Sequence, residues 1–200
     1  MSSDKAATKT SHYRRNEREE ADFGPPMDLS FKKATNMDDL AKETARSIRT
    51  GKIPLRSSNK RFLTSTLWLN NNSLSSMSNL DNLVNQILDD SSRLAWLDLS
   101  FNNLTEIGDE ITAFRQLKIL YLHGNQLANI GQITKLRKLR VLRNLTLHGN
   151  PIEHENSYRV FVIMALPQLK KLDFSTIIPE EKLKAAPPGF FKVISSNITT

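Results

Sequence analysis

The sequence contains no cysteine, which removes disulfides, thiolate metal sites and a cysteine nucleophile together. No stretch approaches the ~18 consecutive apolar residues of a membrane-spanning helix. The opening segment Met1-Ser-Ser-Asp-Lys-Ala-Ala-Thr-Lys-Thr10 lacks the apolar centre of a secretory signal. Glycine is scarce, and its 7 copies include no G-x-G pair and no G-K-S/T, which excludes both common phosphate-binding loops. These absences lead to the expectation of an intracellular, cytoplasmic chain without membrane contact, cofactor or metal. The N-x-S/T triplets at Asn103 and Asn144 are then accidents of a repeat rather than glycosylation sites.

What is present is a repeated phrase. Leu94-Ala-Trp-Leu97-Asp-Leu99-Ser-Phe-Asn102-Asn-Leu104 fits L-x-x-L-x-L-x-x-N-x-L at every fixed position. Leu117 to Leu127 and Leu142 to Ile152 repeat it, Leu67 to Leu74 gives a weaker copy, and Leu169 to Phe174 closes the series without the asparagine. The first strand leucines, Leu67, Leu97, Leu120, Leu145 and Leu172, lie 30, 23, 25 and 27 residues apart. The pattern resembles a leucine-rich repeat, whose period is about 20–29 residues. One such rung cannot bury its own apolar side, so rungs stack into a solenoid with a continuous core. The expected fold is therefore α/β: a right-handed solenoid of about five rungs, with parallel concave strands near residues 66–69, 96–99, 119–122, 144–147 and 171–174. Its convex side is expected to carry helices and 3₁₀ turns. Leu127, Ile130, Ile133, Leu136 and Leu139 recur every three residues, or nearly so, as a 3₁₀ run requires. Leu80, Leu83, Val84, Ile87 and Leu88 suit an amphipathic helix.

Four segments are expected. Residues 1–33 form a polar N-terminal arm, disordered or extended, whose Phe23, Met27, Leu29 and Phe31 beside Pro25-Pro26 suit an extended segment docked on something. Residues 34–60 hold a capping helix and a basic loop; Met37, Leu40, Ala41, Ala45 and Ile48 follow a helical period that ends near Gly51. Residues 61–178 form the solenoid with its C-terminal cap. In residues 179–200, Pro179-Glu-Glu-Lys opens a helix before a loose tail in which Phe190, Phe191, Val193 and Ile194 are able to dock.

Strand alternation turns every second side chain outward, and the outward residues form a grid. One column reads Trp68, Asp98, Tyr121, Thr146, Asp173; a second reads Thr66, Trp96, Ile119, Asn144, Lys171; the third reads Asn70, Ser100, His123, His148, Ser175. Trp68, Trp96, Ile119 and Tyr121 cluster, and exposed tryptophan and tyrosine are common interface anchors. The grid's Trp68, Trp96, Asp98, Ile119, Tyr121, His123, Asn144, Thr146 and His148 are the expected protein-binding residues. The competing reading is that these aromatics pack on each other or lie under the chain's own arm.

No constellation carries catalysis. His123 and His148 are expected about 4.8 Å apart on adjacent strands, but a metal needs a third donor in their column. A Ser100, His123, Asp98 triad has no nucleophile elbow or oxyanion hole. The net charge is +7, of which +4 falls in residues 1–60 (thirteen basic, nine acidic). Lys135, Arg137, Lys138, Arg140 and Arg143 form a basic cluster that favours acidic partners. Nucleic acid is disfavoured, because aromatics and basic residues do not interleave along one groove.

Tyr158-Arg-Val-Phe-Val-Ile-Met-Ala-Leu166-Pro-Gln-Leu-Lys-Lys-Leu-Asp resembles the C-terminal cap of the phosphatase-regulator subtype of leucine-rich repeat proteins. Pro25-Pro-Met-Asp-Leu-Ser-Phe31, Leu67-Trp-Leu69, Leu94-Ala-Trp96, Leu120-Tyr-Leu-His-Gly-Asn125 and Leu145-Thr-Leu-His-Gly-Asn-Pro151 follow in that order. Over residues 23–175 the series resembles a family of small cytoplasmic leucine-rich repeat proteins of ciliated and flagellated organisms. The resemblance implies a non-enzymatic binding module, a scaffold or adaptor of the cilium, flagellum or cytoskeleton. The alternative it leaves is a regulatory adaptor of a soluble enzyme such as a protein phosphatase catalytic subunit.

Overall fold

A computed structural model describes residues 25–196, and the expected docking residue Phe23 lies outside them. The strands are β1 (Met27–Asp28), β2 (Thr66–Trp68), β3 (Trp96–Asp98), β4 (Ile119–Tyr121), β5 (Asn144–Thr146), β6 (Lys171–Leu172) and β7 (Ser175–Thr176). They form one sheet in chain order, parallel from β1 to β6, with β7 turned back antiparallel on β6. The five expected strands are β2 to β6, and their register matches the grid: Thr66, Trp96, Ile119, Asn144 and Lys171 are partners, as are Trp68, Asp98, Tyr121 and Thr146. The inward leucines Leu67, Leu97, Leu99, Leu120, Leu122, Leu145 and Leu147 are buried in a core that runs the length of the solenoid.

A ladder of asparagine side chains joins the rungs. The Asn102 amide donates to the Leu69 and Leu99 carbonyls, Asn125 to Leu99 and Leu122, and Asn150 to Leu122 and Leu147. Each amide oxygen accepts from the backbone of the rung before, at Leu74, Leu104 and Leu127. Each asparagine thus satisfies buried backbone groups where the strand hydrogen bonding ends. Asn72 makes the same bonds to the Leu29 and Leu69 carbonyls, and the residue before each asparagine turns left-handed: Asn71, Phe101, Gly124 and Gly149 have φ of 55°, 52°, 67° and 68°.

The sheet is longer than the asparagine phrase indicates, because the arm supplies a strand of its own. Met27 pairs with Leu67 and Asp28 with Trp68, while Met27 and Leu29 point into the core. Phe31 takes the left-handed position with φ 57° and stays 51% exposed, so it does not dock inward with them. The capping helix α1 (Met37–Ala41) stops ten residues before Gly51. Its continuation is used elsewhere: the Arg46 N–H donates to the Asp28 carbonyl at 2.8 Å, covering the outer edge of β1. Ile48, placed inward by the helical period, is 81% exposed.

The convex side carries α2 (Leu80–Ile87) and 3₁₀ turns, including Ile130–Lys138. The C-terminal end is closed by α3 (Tyr158–Ala165), α4 (Pro179–Lys182) and α5 (Phe190–Ser196). Arg159 and Glu181 tie α3 to α4 at 2.6 Å, and this charge-assisted bond holds the Glu181 carboxyl down at about 2. Phe190 and Ile194 are buried, with Phe190 edge-on to Phe161 at 5.1 Å, so much of the expected loose tail is a docked helix.

Candidate functional site

The outward side chains of the parallel strands lie one rung apart, close enough for rings to touch. Trp68 meets Trp96 edge-on at 5.7 Å, and Trp96 meets Tyr121 at 5.8 Å. Tyr121 continues to His123 at 5.9 Å, and His123 stacks on His148 at 4.7 Å with an interplanar angle of 9°. The concave face is therefore one band of rings from β2 to β5, and each edge-to-face pair contributes on the order of 0.5–1.5 kcal/mol beyond burial.

The two ends of the band differ. Trp68 is only 7% exposed, because the segment after α1 crosses over it: the Arg49 guanidinium lies 4.5 Å above the ring and donates to the Asn70 side chain. Its position puts it among the chain's own contacts rather than on the open surface. This segment lies over the ring, and Asp28 of the arm is the strand partner of Trp68 at the edge. Asp98, Ile119, His123 and Thr146 are also buried, whereas Trp96, Tyr121, Asn144 and His148 are half-buried. Asp98 accepts from the backbone and hydroxyl of Ser100, and burial raises its pKa against the pull of those bonds and of Arg49.

Two phenylalanines outside the grid complete the face. Phe101 sits in its left-handed position with its ring edge-on to His123 at 5.0 Å. A side chain at Gly124 would meet that ring at 2.7 Å, so glycine is needed there for space as well as for φ. Phe174 is read from the sequence as the inward end of the last strand. The structure instead places it in a two-residue hairpin between β6 and β7, where Asp173 and Phe174 both have positive φ, 50° and 61°. Such a turn normally takes Asn-Gly or Asp-Gly. Its ring reaches back over Tyr121, His123 and His148 at 5.4, 5.7 and 5.6 Å and remains 60% exposed. A bulky residue at positive φ costs ~1–3 kcal/mol, so its ring position is maintained against backbone preference.

Asp173 caps the strand N–H groups where the parallel ladder ends. Its carboxylate accepts from the Leu147 and His148 N–H groups, where a further strand's carbonyl would otherwise stand, and from the Tyr158 hydroxyl. That carboxylate and burial raise the Tyr158 pKa, burial being the larger effect.

The histidines are engaged in packing. His123 Nδ1 lies 2.8 Å from the Thr146 hydroxyl, and His148 Nδ1 lies 3.3 Å from Asp173. Burial first, and then His148, lowers the His123 pKa to about 4, against the opposing pull of Asp173. Ser100 bonds to Asp98, not to a histidine. Among the described residues no group of three His, Cys, Asp or Glu side chains is placed to hold a metal, and no helix is long and apolar enough to cross a membrane. The face offers half-exposed rings flanked by polar groups.

The leucine-rich repeat family profile matches residues 65–194. Leucine-rich repeat-containing protein 51 of Homo sapiens is 43% identical over 162 residues, 80% of this chain and 83% of its own length. The Mus musculus protein of that name is 44% identical over the same shares. Among solved structures, the Drosophila melanogaster SNF/U2A′ complex contains a chain that superposes with a TM-score of 0.56 at 23% identity. It covers 72% of this chain and 86% of that one and shares the fold. A protein-binding scaffold is consistent with that fold. The chain belongs to the leucine-rich repeat family, in company with the proteins called leucine-rich repeat-containing protein 51.

Proposed function

We propose that this chain is a non-enzymatic scaffold that holds a segment of another protein on the concave face of β3 to β6, and that it works in the cytoplasm as a structural component of the ciliary or flagellar axoneme. The observation that carries the binding reading is the band of half-exposed rings, Trp96, Tyr121 and Phe174 with Phe101 and His148 beside them. Rings pinned by their neighbours lose little freedom on binding, which is why aromatic anchors dominate interface energetics. The axonemal setting is supported by resemblance in sequence to small proteins of ciliated organisms, and the phosphatase-regulator subtype by the resemblance of the C-terminal cap from Tyr158 to Asp173.

Pull-down from ciliated cells with wild-type, Trp96→Ala and Tyr121→Ala proteins tests the face, with thermal melts to confirm that each variant is folded. Each substitution is expected to weaken recovery of the partner by roughly 30-fold, equivalent to about 2 kcal/mol. Unchanged recovery would move the interface off the concave face. Fractionation tests the setting: an axonemal scaffold stays with detergent-extracted axonemes and leaves at high salt. Co-elution of the soluble chain with a phosphatase catalytic subunit would replace it with the adaptor reading.

A further inference from the structure

The basic cluster of residues 135–143 divides in the structure into cations used by the fold and cations left over. Lys135 donates to the Ile107 carbonyl at 2.8 Å and lies 3.6 Å from Asp109. The Arg143 guanidinium donates to the carbonyls of Arg140, Leu142 and Gln168. Those two staple turns together. Arg137, Lys138 and Arg140 are different: the three-residue period turns Leu136, Leu139 and Leu142 inward and leaves these three exposed. Arg115, from the preceding rung, joins them by donating to the Lys138 carbonyl at 3.0 Å.

The four line an open cleft of about 440 Å³ between the 3₁₀ turns and the end of α3, with Ala165, Pro167 and Gln168 as the rest of its wall. No carboxylate lines it, and among the described residues none of the four cations forms an ion pair. A fifth positive group, Lys182, donates to the Pro167 carbonyl at the rim. Gathering these charges around one concavity costs self-repulsion that the fold does not compensate.

We infer that this cleft binds an acidic peptide segment of a partner protein, taking its carboxylates on Arg115, Arg137, Lys138 and Arg140. Arginine forks match carboxylates two bonds at a time, and Ala165 and Pro167 offer apolar wall to glutamate methylenes. Nucleic acid fits less well, because no aromatic ring lines the cleft for a base to stack on and the cations surround a compact hollow rather than tracking a backbone. The site is separate from the concave face and stands whether or not that reading holds.

Fluorescence anisotropy on the full-length protein tests it, using a labelled twelve-residue peptide with six glutamates, the same peptide with glutamine in their place, and a single-stranded DNA of equal charge. The glutamate peptide is expected to bind and the glutamine peptide not. The Arg137→Gln/Arg140→Gln variant, both exposed positions, should weaken the glutamate peptide by about tenfold or more, as loss of rim and paired charges does elsewhere. Trp96→Ala should leave this binding unchanged, which separates the cleft from the concave face. Lys60→Gln/Arg61→Gln, with the same loss of net charge in the exposed basic loop, should also leave it unchanged. Equal weakening by both double variants would overturn the proposal in favour of diffuse charge attraction. DNA bound more tightly than the peptide through Arg137 and Arg140 would overturn it in favour of nucleic acid, and equal affinity for the two peptides would remove the site.

Discussion

Residues 28–31 and 98–101 have the same sequence, Asp-Leu-Ser-Phe, and stand two strands apart in one sheet. Their local structures coincide. In both, the aspartate accepts from the serine backbone at 2.9 Å and from its hydroxyl at 2.6 Å; both leucines are fully buried, and both phenylalanines are left-handed and about half exposed. Their surroundings differ. Phe101 is followed by Asn102, which bonds to the rungs on its side of the ladder, and its ring lies against His123 and Gly124. Phe31 is followed by Lys32, and the neighbouring Asn72 accepts from the Ala34 N–H as the interior asparagines do in their rungs, and from the Lys32 N–H as well. Its ring lies beneath the Arg46 guanidinium, at 5.4 Å. Four residues are thus enough to shape a rung, while the rungs on either side decide whether that rung becomes interior, edge or binding surface.

The comparison is sharpest at the leucines. Leu99→Ala opens a cavity between two flanking rungs and is expected to cost ~3–5 kcal/mol, whereas Leu29→Ala, with a rung on one side only, should cost nearer 2. Urea denaturation of both variants measures the difference. Equal losses would mean that the edge rung is as integral to the solenoid as an interior one.

Acid should act on the interior copy, because its neighbour His123 is held neutral with a pKa of about 4, below the 6.5 of an unfolded histidine. Above pH 6.5 both states are neutral and nothing is lost. Between 6.5 and 4 the unfolded chain binds the proton first, so stability falls as the pH falls, by no more than about 3 kcal/mol, and the loss levels off below 4. Thermal melts of wild type against His123→Phe isolate this slope. A variant with the same slope as wild type would assign the acid sensitivity to other groups.

Next in size is Asn102→Ala. It leaves the Leu69 and Leu99 carbonyls and the Leu74 N–H without that side chain in a buried setting, at about 2 kcal/mol. The half-exposed Asn72 makes the corresponding bonds at the edge and should cost less. Reversal of that order in denaturant melts would show that edge closure depends on the ladder more than the interior does.

The strands β2 to β6, the inward leucines and the 3₁₀ run were legible because each obeys a period that the backbone imposes. The first strand was harder to see: Met27 stands for leucine, Lys32 stands for asparagine and a proline pair precedes it. The repeated Asp-Leu-Ser-Phe was the signal that could have revealed it. The capping helix was read too long because Ala45 and Ile48 keep a helical spacing, while the backbone there is taken up by the β1 edge. The cover over Trp68 had no local signal, since Arg49 reaches it only after the chain has rounded the end of the sheet. The grid therefore gave the register of the outward residues but began its open surface at β2, a strand too early. Phe174 was missed because a hairpin with two positive φ values is expected at Asn-Gly, not at Asp-Phe.

That hairpin gives the smallest expected change in stability and separates strain from use. Phe174→Gly puts at φ 61° the residue that favours this region, which should recover roughly 1 kcal/mol of strain. It also removes edge-to-face contacts to Tyr121, His123 and His148. Because that ring is 60% exposed, those contacts are expected to return about the same amount. The two effects should nearly cancel, leaving stability within about 1 kcal/mol of wild type, while recovery of a concave-face partner falls. The edge copy supplies the control: Phe31→Gly relieves the same kind of strain far from the open face and should leave partner recovery intact. A large loss of stability would make Phe174 integral to the fold. Unaltered partner recovery would make its strain only the cost of closing the hairpin, and the binding surface would then end at Tyr121.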